Sequence, residues 1–139
     1  MNTTSISVLD APTPSSLPIG GPAGIRVDRP AGLVFVGGQI SAGPTGEVIG
    51  REDLEAQLRN VFENIWRVLR DAGVGWRDVV RMDVYYVPDD ETVFWDTLTR
   101  VAANFIEGSG PVWTAVQVPG LAYPGLLVEI DAVAVARNG

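Results

Sequence analysis

Leu127-Val128-Glu129-Ile130-Asp131-Ala132-Val133-Ala134-Val135-Ala136 is the stretch on which the fold turns. It reads as a strand, and a strand sends successive side chains to opposite faces of its sheet. Val128, Ile130, Ala132 and Ala134 fall on one face, and Leu127, Glu129, Asp131, Val133 and Val135 on the other. Both sets are largely apolar, so both faces call for cover. Glu129 and Asp131 interrupt the second face, roughly 7 Å apart at the usual rise per residue.

Moving outward, Pro119 to Gly125 is a loop and Trp113 to Val118 a strand, whose parity puts Trp113, Ala115 and Gln117 on one face. Glu91 to Ile106 reads as a helix with Phe94, Leu98, Val101, Ala102 and Phe105 on its buried side, capped by Asp89 or Asp90 and ended by Gly108-Ser109-Gly110-Pro111. Val79 to Val87 is a strand in which Tyr85 and Tyr86 face opposite ways. Arg51 to Ala72 is the clearest helix: Leu54, Leu58, Val61, Phe62, Ile65, Val68 and Leu69 recur at helical spacing, and Gly73 follows as a C-terminal stop. Trp66, Trp76 and Trp95 read as packing residues of this helical layer. Leu33 to Val36 is a short strand halted by Gly37-Gly38, and Gly43-Pro44-Thr45-Gly46 is a turn.

Residues 1–28, with Pro12, Pro14, Pro18 and Pro22, read as an irregular N-terminal arm carrying a short strand at Ile6–Leu9 and an edge strand at Gly24–Asp28. The whole chain, residues 1–139, reads as one domain of the α+β class in the order ββαβαββ, with two helices on one face of a mixed sheet. Two helices leave the other face bare, and association of subunits is the economical way to cover it.

Composition narrows the chemistry. The 139 residues carry a net charge of −7, and 46% of them are hydrophobic. All ten basic residues are Arg, scattered among seventeen acids, so the basic patch that nucleic acid requires is missing. No apolar run approaches the ~18 residues of a membrane span. Met1 to Ser7 has neither the basic start nor the apolar stretch of a signal peptide, so a cytoplasmic protein is expected. His, Cys and Lys are all absent. That removes Ser-His-Asp and Cys-His mechanisms, a lysine Schiff base and the usual ligands of zinc. Neither a metal nor a cofactor is expected. If the protein is an enzyme, its acid or base is a carboxylate, and Glu129, set in an apolar strand, is the foremost candidate. The plain alternative is that Glu129 and Asp131 are solvated at a sheet edge or lumen.

An ordered set of segments between about Gly21 and Arg137 resembles the Rid (YjgF/YER057c/UK114) family. Leu33-Val34-Phe35-Val36-Gly37-Gly38-Gln39-Ile40 is similar to its "hydrophobic run, then S-G-Q-I". Thr45-Gly46-Glu47 is similar to the turn that follows. Gln57, Asn60, Asn64, Leu69 and Ala72-Gly73 resemble its first helix, and Asp78-Val79-Val80 with Val84-Tyr85 its central strand. Pro111…Val116 and Val128 to Val135 resemble its C-terminal signature.

The resemblance implies a chorismate-mutase-like fold and a homotrimer whose sheets form a central barrel. It also implies small-molecule sites in the clefts between subunits and cofactor-free hydrolysis of enamines and imines, a deaminase or related tautomerase activity. Glu129 falls on the carboxylate that positions water, and Gly38 on the glycine lining the pocket. Gly37, Trp113, Ala115 and Gln117 fall on further substrate-binding positions, where the family commonly has Ser, Arg, Cys and Glu. Ala23, or Gly24 if the alignment shifts, replaces an aromatic residue. Trp113 is the consequential departure. The family's Arg grips a carboxylate with a two-pronged fork, whereas an indole offers one donor and an apolar face. The implied substrate is therefore apolar or aromatic. The alternative is a non-catalytic ligand-binding or interaction protein on the same scaffold. Arg26, Arg29 and Arg81 are the arginines that would have to replace the missing clamp.

Overall fold

The computed structural model describes residues 2–11, 19–87 and 89–139. Pro12, Pro14 and Pro18 of the arm and Pro88 of the expected turn lie outside them. In chain order the strands are β1 (Ser5–Leu9), β2 (Gly24–Asp28), β3 (Gly32–Gln39), β4 (Val79–Tyr86), β5 (Val112–Gln117) and β6 (Val128–Ala136). Helix α1 (Leu54–Asp71) joins β3 to β4, and α2 (Glu91–Ala102) joins β4 to β5. From β2 onward this is the expected ββαβαββ order. The N-terminal arm is more regular than expected: β1 and β2 pair antiparallel as a separate two-stranded sheet.

The main sheet has the order β3-β6-β4-β5. β6 runs antiparallel to both its neighbours, and β4 and β5 are parallel, joined by the crossover helix that such a pair requires. The two-faced strand thus lies inside the sheet. Its Val128, Ile130, Ala132 and Ala134 are buried beside Met82, Val84 and Tyr86 of β4. Leu58, Val61, Phe62, Ile65 and Leu69 of α1, with Phe94, Leu98 and Val101 of α2, close over that face. Full burial of each such side chain stabilises the fold by about 1.5–3 kcal/mol. Phe62 sits against both Trp76 and Phe105, with ring centres 5.6 and 5.1 Å away, and Tyr86 stacks on Phe94 at 4.0 Å.

The helices start where side chains supply the missing backbone acceptors. Asp53 accepts from Ala56 N and Asp90 from Val93 N, each at 3.1 Å. α1 therefore begins at Leu54 rather than at Arg51. The residues before it are bent through positive φ at Gly50 and Glu52, which no helix accommodates. α2 ends at Ala102, and the chain then turns tightly, with Phe105 N and Ile106 N both donating to Ala102 O. None of the helices described is long and apolar enough to cross a membrane.

Candidate functional site

The face of the sheet turned away from the helices carries Glu129, Asp131 and Val133 of β6, Arg81, Asp83 and Tyr85 of β4, and Leu33 and Phe35 of β3. It is apolar at the β3 side, where Leu33 is 56% and Phe35 72% exposed. Toward β4 it is acidic.

Glu129 pairs with Tyr85 across the β6–β4 ladder. On its other side the β3–β6 register slips between Val36 and Gln39, so Gly37 and Gly38 bulge out of the ladder. This brings Gly38 against the Glu129 side chain: a β-carbon at position 38 would stand 2.5 Å from Glu129 Oε2 and 3.2 Å from its Cγ. Gly37 faces open space, and its carbonyl accepts from Gln39 Nε2 at 3.1 Å. Two site residues expected from the sequence, Gly38 and Glu129, are therefore adjacent. Any larger residue at position 38 would push the Glu129 side chain out of this position.

Asp131 stands directly opposite Asp83. Burial first, then the charge of Asp83 and a hydrogen bond with it, hold the Asp131 carboxyl above the usual carboxylate range. Arg81 serves Asp83, with Nε donating to Oδ2 at 3.2 Å and Nη2 lying 2.9 Å from Oδ1. The latter contact lacks hydrogen-bonding geometry, leaving Oδ1 buried with no donor aimed at it. The charge of Asp131 above all, then burial and the charges of Asp83 and Glu129, raise the pKa of the Tyr85 phenol. Sequence reasoning placed Asp131 here but missed Asp83 and Tyr85 as its neighbours. Alternation along β4 groups them with Arg81, but only the pairing shows that this face meets Glu129.

Trp113, Ala115 and Gln117 do share one face, as parity implied, but it is the face opposite Glu129. They pair with Met82, Val84 and Tyr86, all core residues. Trp113 and Ala115 pack against the core. Gly21 lies on the Trp113 ring, where a β-carbon would come within 3.1 Å of Trp113 Cδ1 and 2.9 Å of Pro111 O. Within one chain, then, Glu129–Gly38 and Trp113–Ala115–Gln117 are two separate groups with β4 between them. Of the arginines able to replace the clamp, Arg26 is held by Asp28 at 2.8 Å and Arg81 by Asp83, and Arg29 donates to Thr3 O at 3.2 Å.

Among the described residues no group of three or more carboxylates, Cys or His is placed to hold a metal ion. A cleft of about 850 Å³ between the starts of α1 and α2 is lined by Asp53, Asp90, Val93 and Leu127, among others. A cavity of about 400 Å³ lies between the β1–β2 sheet and Arg77, Val79 and Arg137. Neither is walled by Glu129 or Gly38, which lie on the uncovered sheet face instead.

Residues 25–136 match the family model described as Endoribonuclease L-PSP. A RutC family protein of Synechocystis, slr0709, is 35% identical over 105 residues, 75% of this chain and 78% of that protein. The Rid family protein YyfB of Yersinia pestis, a structure described as of unknown function, superposes with a TM-score of 0.80 at 29% identity, covering 97% of this chain and 99% of that one. Escherichia coli TdcF, solved with bound serine, gives a TM-score of 0.64 at 31% identity over 76% of this chain and 81% of its own. The family-model match over residues 25–136, sequence identity across most of the length and the shared fold place this chain in the Rid (YjgF/YER057c/UK114) family.

Proposed function

We propose that the protein is a cofactor-free hydrolase of enamines or imines, working as a homotrimer at a cleft between subunits, with Glu129 as its acid–base residue. The observation that carries this reading is the approach of Glu129 to Gly38, a carboxylate on an apolar strand held against backbone that has no side chain to block a ligand. In the reaction, water adds to the C=N carbon and Glu129 takes its proton. That proton passes to nitrogen to give the carbinolamine R₂C(OH)NH₂; the carboxylate then takes the hydroxyl proton and delivers it to the amine as the C–N bond breaks, and a carbonyl compound and ammonia leave: R₂C=NH + H₂O → R₂C=O + NH₃. The serine bound to TdcF supports a small-molecule site in this fold.

The substrate is of a different class from carboxylate-bearing imines. Trp113 replaces the clamp, and Arg26 and Arg81 already hold carboxylates of their own chain. An apolar or aromatic imine fits the indole better. Because Trp113 and Glu129 are on opposite faces of one sheet, a single cleft containing both needs Glu129 from one subunit and the edge strand β5 of its neighbour. Ribonuclease chemistry does not suit this chain: without His or Lys and with net charge −7, it is poorly equipped to hold or cleave RNA.

Glu129→Gln tests the reading. It keeps the shape of the side chain and cannot take up a proton, so kcat should fall ~10²-fold or more while folding and assembly are unchanged. Wild-type turnover in this variant would make the carboxylate structural. The core packing of Trp113 favours one other reading, a binding protein that kept the scaffold and lost the chemistry. In that case ligands bind, and none is consumed with or without Glu129.

A further inference from the structure

We propose that Gln57 is a positioning residue for Glu129, and that with Asn60 and Asn64 it forms a row of amides fixing both chain segments that flank the Gly38–Glu129 contact. The inference rests on Glu129 being the reactive carboxylate.

Gln57 is wholly buried, in the first turns of α1. Its Nε2 donates to Gly50 O at 3.0 Å and to Gly125 O at 2.8 Å, and its Oε1 accepts from Leu127 N at 2.8 Å. Two donors and an acceptor on one flat group are what a primary amide supplies; a carboxylate lacks the donors, and an apolar residue lacks all three. Leu127 immediately precedes β6, and Glu129 is two residues further on. The direction of a strand side chain follows from its backbone, so fixing Leu127 fixes the line along which Glu129 projects.

The same helix holds the other partner. Asn64 Nδ2 donates to Ile40 O at 3.3 Å, and Asn60 Nδ2 to Ser41 Oγ at 3.1 Å. Ser41, itself fully buried, donates to Ile49 O at 2.6 Å. Ile40 lies two residues beyond Gly38. The β3–β6 ladder is irregular between Val36 and Gln39 and resumes with the Gln39–Ile130 pair, so Gly38 itself is unpaired, and the hydrogen bond to Ile40 adds to that pair in fixing the segment just past it. Residues 57, 60 and 64 share one side of a helix. They flank the apolar stripe of Leu58, Val61 and Ile65, so a single rigid element registers the carboxylate and the glycine against each other.

The test compares Gln57→Met, similar in length but without donors, with Thr97→Val, which removes a buried hydrogen bond to Val93 O within the neighbouring helix α2 and takes no part in this row. Two quantities are read in the full-length protein. The first is the nuclear Overhauser contact between the Gly38 α-protons and the Glu129 γ-protons. The second is kcat and KM for hydrolysis of a neutral aryl ketimine formed in situ. Gln57→Met should lose the contact and lower kcat ~10-fold or more at nearly constant KM, since small misplacements of a reacting group cost this much. Thr97→Val should lose thermal stability and keep both. The proposal is overturned if Gln57→Met retains the contact, or if Thr97→Val loses it as well. The contact needs no substrate. A lost contact in Gln57→Met, together with unimpaired turnover in Glu129→Gln, would uphold the positioning and reject the catalytic reading of Glu129.

Discussion

A β-carbon at position 38 would stand 2.9 Å from the Glu129 carboxyl carbon, closer than packed atoms allow. In Gly38→Ala the half-buried, flexible carboxylate has to swing away, so the fold survives and the geometry of the reacting group does not. Turnover should fall ~10²-fold with the melting temperature within a few degrees of wild type, measured by imine hydrolysis and by thermal unfolding. Asp131 makes a separate prediction, about stability. Its carboxyl titrates above the usual range in the folded protein because it is buried and faces Asp83. A raised folded-state pKa means that the folded protein holds the proton more tightly than the unfolded chain. The resulting stabilisation is complete below the unfolded-state pKa and is lost as pH rises through the folded-state value. At neutral pH two like charges then oppose each other across the ladder. Asp131→Asn removes one of them, a gain of up to about 1 kcal/mol. It should melt a few degrees above wild type at pH 7, with the gap narrowing as pH falls through the raised Asp131 value, and turnover should stay close to normal. A variant less stable than wild type at pH 7 would show that the Asp131 charge is satisfied by something else.

At the scale of elements, most of the architecture was legible because local chemistry and packing agree. The stripe from Leu54 to Leu69 could only be a helix, and Asp90 was one of the two caps open to the second; the Asp53 cap of the first was missed, because the positive φ at Gly50 and Glu52 that delays the helix is not written in residue type. What the sequence left open was the face that β5 presents. Trp113, Ala115 and Gln117 alternate with Val112, Thr114 and Val116, and neither set is polar enough to declare itself outward. Pairing decided it: the register of Trp113 on Met82 turns the indole toward the helices, away from Glu129. The bulge at Gly37-Gly38 was hidden for a similar reason. A glycine pair reads as the end of a strand, whereas here the strand runs on to Gln39. The packing of Trp113 under Gly21 also bears on specificity. Without a guanidinium fork, a small carboxylate-bearing imine forgoes a charged contact worth about 1.5–3 kcal/mol. Its kcat/KM should therefore be roughly 10- to 150-fold below the value for a Rid protein that keeps the arginine, measured side by side. Equal values would mean that an arginine clamps after all, and Arg26→Ala, Arg29→Ala and Arg81→Ala would identify it.

At the scale of the whole molecule, the bare sheet face joins the fold to the proposed chemistry. Leu33 and Phe35 lie more than half exposed beside Val133, on the same face as Glu129. Apolar residues gathered in this way usually mark an interface. The helices are already engaged on the other side, so no helix among the described residues covers it. Closed symmetric association is the common way for identical chains to cover such a surface. Three copies would turn their bare faces toward a shared axis, and each Glu129 would then border a neighbouring subunit. Sedimentation at micromolar concentration should give a mass three times the 14.8 kDa of one chain. Phe35→Asp, which places a charge on the most exposed of these aromatic and aliphatic side chains, should shift the protein to monomer while leaving its circular dichroism unchanged, because Phe35 takes no part in the core beneath the helices. If activity arises in a cleft shared between subunits, that monomer should be inactive although Glu129 and Gly38 are intact. An active Phe35→Asp monomer would confine the chemistry to one chain, and a wild-type monomer would leave the apolar face to some other partner.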